Sequence, residues 1–208
     1  MTIIKHDFQK AKQLRPPKKK EKKGIPGFQL RVVLSYSSPP IWRTVQLPGT
    51  FTLKDLHTVI QVCFGWDDSA SHRFLVGKVF YGPAAAEASS GIRDEADSQL
   101  HELEKDMGFI FSYLYDGGSG WECEISLERL FPDSKVIPQP MLLAADRACP
   151  PIGIEGIEDI HEYQLLLTSL EAAAPNREEI LAGLGIACTF DPSYCDLRAI
   201  NDTLHRIF

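Results

Sequence analysis

Three glycines in four positions stand directly before a tryptophan in the stretch Tyr115-Asp116-Gly117-Gly118-Ser119-Gly120-Trp121. On either side, 109–115 and 121–130 are rich in aromatic and branched apolar residues. Glycine at that density is tolerated where a chain must turn through backbone angles that other residues disfavour. The segment therefore predicts a hairpin, with Asp116 bonding exposed amides of its turn. A phosphate cradle would need the glycines to follow a strand and open a helix, whereas here they join two strands. A sheet must be built around this hairpin, and the rest of the sequence supplies it.

Gly24-Ile25-Pro26-Gly27 is a breaker cluster, and 28–34 (Phe-Gln-Leu-Arg-Val-Val-Leu) then alternates as a strand does. Ser37-Ser38-Pro39-Pro40 reads as a turn, and 41–47 alternates again, which predicts an antiparallel return. Thr52 with Asp55 three positions later makes a helix start, and Leu53, Leu56, Val59, Ile60 and Cys63 recur at helical spacing until Gly65. His72 to Phe80 reads as one further strand, and 83–106, dominated by Ala, Ser, Asp and Glu, as a loop. Helices are expected over 160–173, over 178–184, and from Asp191 as N-cap to Phe208. The order predicts an α+β fold: a curled mixed β-sheet packed on one amphipathic helix, β-grasp-like, with additional C-terminal helices. The expected organisation is a basic arm over 1–27 and a single domain over 28–208. Trp42 and Trp121, each in an alternating strand, are expected to share one core.

Charge is unevenly spread. Residues 1–23 hold nine Lys and Arg against Asp7 and Glu21, a net of +7 that leaves −13 for the remainder of a chain of net −6. Such an arm reads as a solvated, disordered tail, and as the one place where nucleic acid could bind an otherwise acidic body. No apolar stretch approaches membrane-spanning length and no secretory leader is apparent. The five cysteines, at 63, 123, 149, 188 and 195, are odd in number and lack C-x-x-C spacing. They read as reduced thiols of a cytoplasmic protein.

A set of short motifs stands in a fixed order: Pro39-Pro40-Ile41-Trp42-Arg43, Thr52 to His57, Gly65-Trp66-Asp67-Asp68-Ser69, His72-Arg73-Phe74, Tyr115-Asp116 through Trp121-Glu122, Arg147-Ala148-Cys149-Pro150-Pro151, and Asp191-Pro192 followed by Asp196-Leu197. In these the chain resembles the plasmid pRiA4b ORF-3-like family over roughly residues 28–205. The resemblance implies an α+β domain found in many bacteria and archaea, without an established biochemical function, some members being linked to resolvases and mobile elements. The chain departs from the family pattern at Gly117 (Phe in relatives), Ser119 (Asp), Cys123 (His) and near Ile154 (a second Cys). Those departures weaken any polar or metal site that relatives build from the same positions.

The residues that invite chemistry are His72, Asp116, Arg147 and Cys149, with Asp67 and Asp68. A working groove is expected where the 65–73 loop, the 115–121 turn and the 147–151 segment meet, since polar side chains at the ends of regular elements are where function usually sits. Cys123, Cys149, His72 and Asp116 are zinc-competent ligand types, but without paired spacing they read as ordinary side chains, so no metal and no cofactor is expected. Arg147 beside Cys149 raises the idea of an activated thiol. Without a triad signature or a phosphate loop, the sequence reads first as a binding or interaction module for a protein or small molecule. A hydrolase or thiol enzyme using Asp116, His72 and Cys149 stands second, and a nucleic-acid binder third.

Overall fold

The computed structural model describes residues 24–84, 91–107, 110–115, 120–132, 137–151, 160–172 and 174–208. The basic run 1–23 and the turn residues Asp116 to Ser119 lie outside them. One eight-stranded sheet unites the described residues. Its strands are β1 (Gly27–Leu34), β2 (Trp42–Pro48), β3 (His72–Val76), β4 (Val79–Gly82), β5 (Arg93–Asp94), β6 (Ile110–Tyr115), β7 (Trp121–Phe131) and β8 (Met141–Asp146). They lie in the order β5-β4-β3-β6-β7-β1-β2-β8. Every neighbouring pair is antiparallel except β4 and β5, which run parallel. The sheet is thus mixed, as expected.

The sequence period explains the faces. On β1, Phe28, Leu30, Val32 and Leu34 are buried while Gln29, Arg31 and Val33 on the opposite face are only half-buried. On β7, Trp121, Cys123 and Ile125 point into the same core. A bulge between Gln29 and Leu30 resets the register against β7 at Arg129 and Leu127. The covering layer begins with helix α1 (Leu53–Phe64). Thr52 and Asp55 form a reciprocal capping box, and Gly65 closes the helix in the left-handed conformation at φ 72°. Leu53, Leu56, Val59, Ile60, Cys63 and Phe64 are buried along it, and so are the polar His57 and Gln61. Helix α2 (Leu100–Met107), α3 (Ile160–Ala172), α4 (Arg177–Gly183) and α5 (Leu197–Ile207) follow. Helix α5 packs on β8 and on α1.

Several expectations need correction. The 72–80 segment is two strands, because Gly77 turns the chain at φ 62° between them and leaves Phe80 partly exposed. The polar 83–106 stretch contains β5 and α2, held by backbone bonds from Leu53 to Ser98, Leu100 to Phe51 and Glu95 to Gly82. Their short apolar content hid them. The edge strand β8 carried too weak an alternation to be read. The last helix starts at Leu197 with Asp196 as its cap, since the Asp191 carboxylate is spent on the Ser193 amide and hydroxyl in a local turn. Trp121 is buried, but Trp42 is half-buried on the other face, its ring under the Arg31 guanidinium at 3.9 Å. The tryptophan that joins the core aromatics is Trp66, stacked on Tyr115 at 5.0 Å.

Gly49 sets the entry from β2 to α1. A Cβ built there lies 1.9 Å from the Pro26 carbonyl oxygen, a backbone atom that cannot swing aside. Gly49→Ala is expected to cost about 1–3 kcal/mol in a denaturant melt, the range for forced overpacking. A variant as stable as the parent would show that this crossing is loose.

Candidate functional site

Two imidazoles form the centre of the most site-like arrangement. His57 comes from α1 and His72 from the start of β3, and their rings stack at 3.5 Å between centroids with 8° between planes. Each is tied to a carboxylate. His57 Nε2 lies 2.9 Å from Asp68 Oδ1, and His72 Nε2 lies 2.9 and 3.1 Å from the two oxygens of Glu95. The His72 and Glu95 side chains are both more than nine-tenths buried, whereas the Asp68 side chain is 64% exposed. The pair opens on a cleft of about 430 Å³ lined also by Lys54, Ser71 and Asp94.

A closed circuit of hydrogen bonds sets the protons. The Gln61 amide nitrogen donates to the Tyr113 hydroxyl at 2.8 Å, so the hydroxyl gives its own proton to His57 Nδ1, also 2.8 Å away. His57 Nδ1 is then an acceptor, and Nε2–H donates to Asp68. The Asp68 amide closes the circuit by donating to Gln61 Oε1 at 2.9 Å. Every member is satisfied, which buried polar groups require. Burial and then the neighbouring His72 lower the His57 pKa, in keeping with the neutral tautomer that the circuit assigns. Burial pushes the Tyr113 hydroxyl well above its ordinary value. Asp68 holds its place at φ 57°, in the left-handed region, so loop strain is maintained by bonds on both sides of it. Next to it, the Ser69 hydroxyl and amide hold the Asp67 carboxyl low.

One ligand atom from each of His57, Asp68 and His72 lies within 4.8 Å of the others, a span that one metal ion bridges. An ion binds in the plane of an imidazole, at ~2.0–2.1 Å from nitrogen for zinc. Two nearly parallel stacked rings cannot both aim at one ion in plane, so shared coordination requires the rings to splay. As it stands, the arrangement suits a shared proton or a hydrogen-bonding ligand edge.

The six candidates from the sequence separate. His72 and Asp68 meet in this cleft, with Asp67 beside it in the same loop, 3.4 Å from the Tyr115 hydroxyl. Asp116 lies outside the described residues. Cys149 lies elsewhere, its sulfur 3.5 Å from Arg43 Nη2, and Arg147 lines a different cavity. The thiol's charged neighbour is Arg43, and burial outweighs it: Cys149 and Cys63 are both pushed up to about 12, and Cys123 well above its usual value. His57, Gln61, Tyr113 and Glu95 were missed. The available signal was a His and a Gln four residues apart along the buried face of α1. Glu95 gave none, because it sits in the segment read as loop.

Two outcomes follow. Thiol pKa values of about 12 against an ordinary 9.0 mean that Cys63 and Cys149 contribute stability in full below pH 9, lost as pH rises towards 12. Iodoacetamide labelling of the native protein at pH 8 should therefore modify the exposed Cys188 first and spare Cys63, Cys123 and Cys149. Rapid labelling of Cys149 would restore an activated thiol. Tyr113→Phe strips the circuit of its central hydroxyl and leaves Gln61 and His57 short of a partner, a loss of about 1–3 kcal/mol by chemical denaturation. A change within about 0.3 kcal/mol would mean that the circuit is open in solution.

Comparison with known proteins places this geometry. An uncharacterised protein, y4hQ of Sinorhizobium fredii (strain NBRC 101917 / NGR234), is 37% identical over 136 residues, 65% of this chain and 70% of its own length. The crystal structure of MM3350 from Methanosarcina mazei Go1, a protein of unknown function, superposes with a TM-score of 0.70 at 26% identity, covering 86% of this chain and 98% of that one. The model of the plasmid pRiA4b ORF-3-like proteins matches residues 26–199, and the chain belongs to that family.

Proposed function

We propose that this protein is a binding module whose working site is the cleft at His57 and His72, and that it takes a small ligand bearing a positive charge. The observation that supports this is the stacked imidazole pair with a carboxylate on each ring, one of them, Asp68, reaching out into the cleft. Among the described residues, three carboxylates line the cleft, Asp68, Asp94 and Glu95, against one ammonium, that of Lys54. Glu95 is committed to His72, while Asp68 and Asp94 each have one oxygen engaged, by His57 Nε2 and by the Ala96 amide, and one left to meet a ligand. An organic amine would donate to the free Asp68 oxygen and leave the His57 Nε2–H bond to Oδ1 in place. A metal ion at His57 Nε2 would require the rings to splay and His57 to change tautomer, its proton moving to Nδ1 to donate to the Tyr113 hydroxyl.

The thiol-enzyme alternative draws no support from Cys149, which sits with Arg43 away from His72. The nucleic-acid alternative rests on the basic arm alone.

Imidazole resonances of His57 and His72 report directly on the site. Two titrations, with zinc chloride and with putrescine, should give a saturable shift of both rings in at least one arm and a raised melting temperature. His72→Ala should abolish the response. Zinc acting alone identifies a metal site and putrescine acting alone an amine site. No saturable response in either arm sinks the reading.

A further inference from the structure

A second cavity, of about 510 Å³, lies between the Ser38–Pro39 turn, one side of α3 (Gln164, Leu167, Thr168), Arg147, Arg177 and the Asp191–Ser193 turn. It is separate from the histidine cleft, sharing none of its lining residues. Its volume suits a small molecule.

Arg147 sets it apart in two ways. Its backbone is left-handed, at φ 66°, a conformation that costs a non-glycine residue energy and persists only where the surroundings impose it. Its buried Nε has no hydrogen-bond partner among the described residues. The Tyr163 hydroxyl, buried on α3, likewise has none among them, but it is not part of the cavity lining. A buried guanidinium donor without an acceptor is costly, and so is a buried hydroxyl in the same state. An oxyanion in the cavity offers acceptors to the Arg147 guanidinium.

The rest of the lining agrees. Arg177 adds a second positive charge, with two of its nitrogens fixed by the Phe190 and Cys188 carbonyls so that the guanidinium is held at the rim. The Asp191 carboxylate stays ionised and opposes an anion, its Oδ1 taking the Ser193 amide and hydroxyl, and the Arg177 charge beside it offsets that opposition. Ser38 supplies a hydroxyl, that of Thr168 being donated to the Gln164 carbonyl, while Pro39, Leu167 and Pro192 give an apolar wall for a carbon skeleton.

We propose that this cavity binds a small organic anion, a carboxylate or a phosphate monoester, gripped in bidentate fashion by Arg147. A planar guanidinium matches both oxyanions. This site goes beyond the cation cleft and does not depend on it.

The test is isothermal titration of the full chain at constant ionic strength with succinate in one arm and inorganic phosphate in the other, chloride being the control. At least one arm should saturate and raise the melting temperature. It should also shift the Arg147 Nε–H resonance. Arg147→Gly is the informative variant, because glycine accepts the left-handed backbone. It should fold with an equal or higher melting temperature and bind the same anion at least about tenfold more weakly, as loss of a bidentate pair requires. Arg147→Lys should fall between the two, keeping charge without the fork. Succinate alone saturating assigns a carboxylate site and phosphate alone a phosphate site. If neither saturates by ~50 mM, or if Arg147→Gly binds as the parent does, the proposal is overturned.

Discussion

Arg43 is the interaction on which the arrangement rests. It is a fully buried cation in the second strand of the sheet, and a buried charge is tolerated only when its hydrogen bonds are met. Its Nε donates to the Cys63 carbonyl at 2.8 Å, and its Nη1 to the Trp42 and Asp146 carbonyls. Cys63 lies in the last turn of α1, which has no basic residue of its own there. Arg43 therefore satisfies an orphan carbonyl at a helix C-terminus and places its charge where the helix dipole favours it. A single side chain fixes the helix to β2 and to the edge strand β8. The Phe64 ring lies 5.0 Å from the guanidinium and completes the enclosure.

Once the end of α1 is fixed, the position of the histidine pair follows. His57 and Gln61 project from one side of that helix towards Tyr113 of β6, which is fully buried at the middle of an aromatic group with Phe74, Tyr115 and Trp66. The loop after the helix returns over the same group, with Trp66 on Tyr115 and Asp68 back on Gln61 and His57. Rigid aromatic packing thus supports a loop whose own backbone is strained at Asp68. Precise placement of polar groups on such a scaffold is what a ligand site needs, and the strained residue is the one that faces the cleft.

The sheet face, the α1 capping box and the antiparallel β1–β2 return were legible because period and cap chemistry are local signals. Thr52 with Asp55 is readable three residues apart, and so is the alternation from Phe28 to Leu34. The circuit was not legible, because it joins residues 57, 61, 68 and 113 through pairing of β3 with β6 and the docking of α1, and no local pattern encodes that pairing. Short elements with few apolar residues, β5 and α2 above all, fell below what periodicity can detect. The grouping of His72 with Arg147 and Cys149 failed for a related reason. Motifs that sit at the ends of elements can lie at opposite parts of an eight-stranded sheet, and four strands lie between β3 and β8.

That separation gives the motifs distinct physical duties. Arg43 of the first motif and Cys149 of the sixth meet in the core, where the charge serves carbonyls and burial keeps the thiol protonated. The second, third and fourth motifs, with His57, Asp68 and His72, build the histidine cleft. Arg147, two residues from Cys149, turns away through its left-handed backbone to a cavity shared with Pro39 and the Asp191-Pro192 turn. Ala148 anchors that departure by donating its amide to the Pro192 carbonyl at 3.0 Å. The Arg-Ala-Cys segment is therefore a switchback. Its cysteine locks into the core on one side, and the strain this imposes on Arg147 is what carries an arginine, rather than an apolar residue, to the mouth of the second cavity.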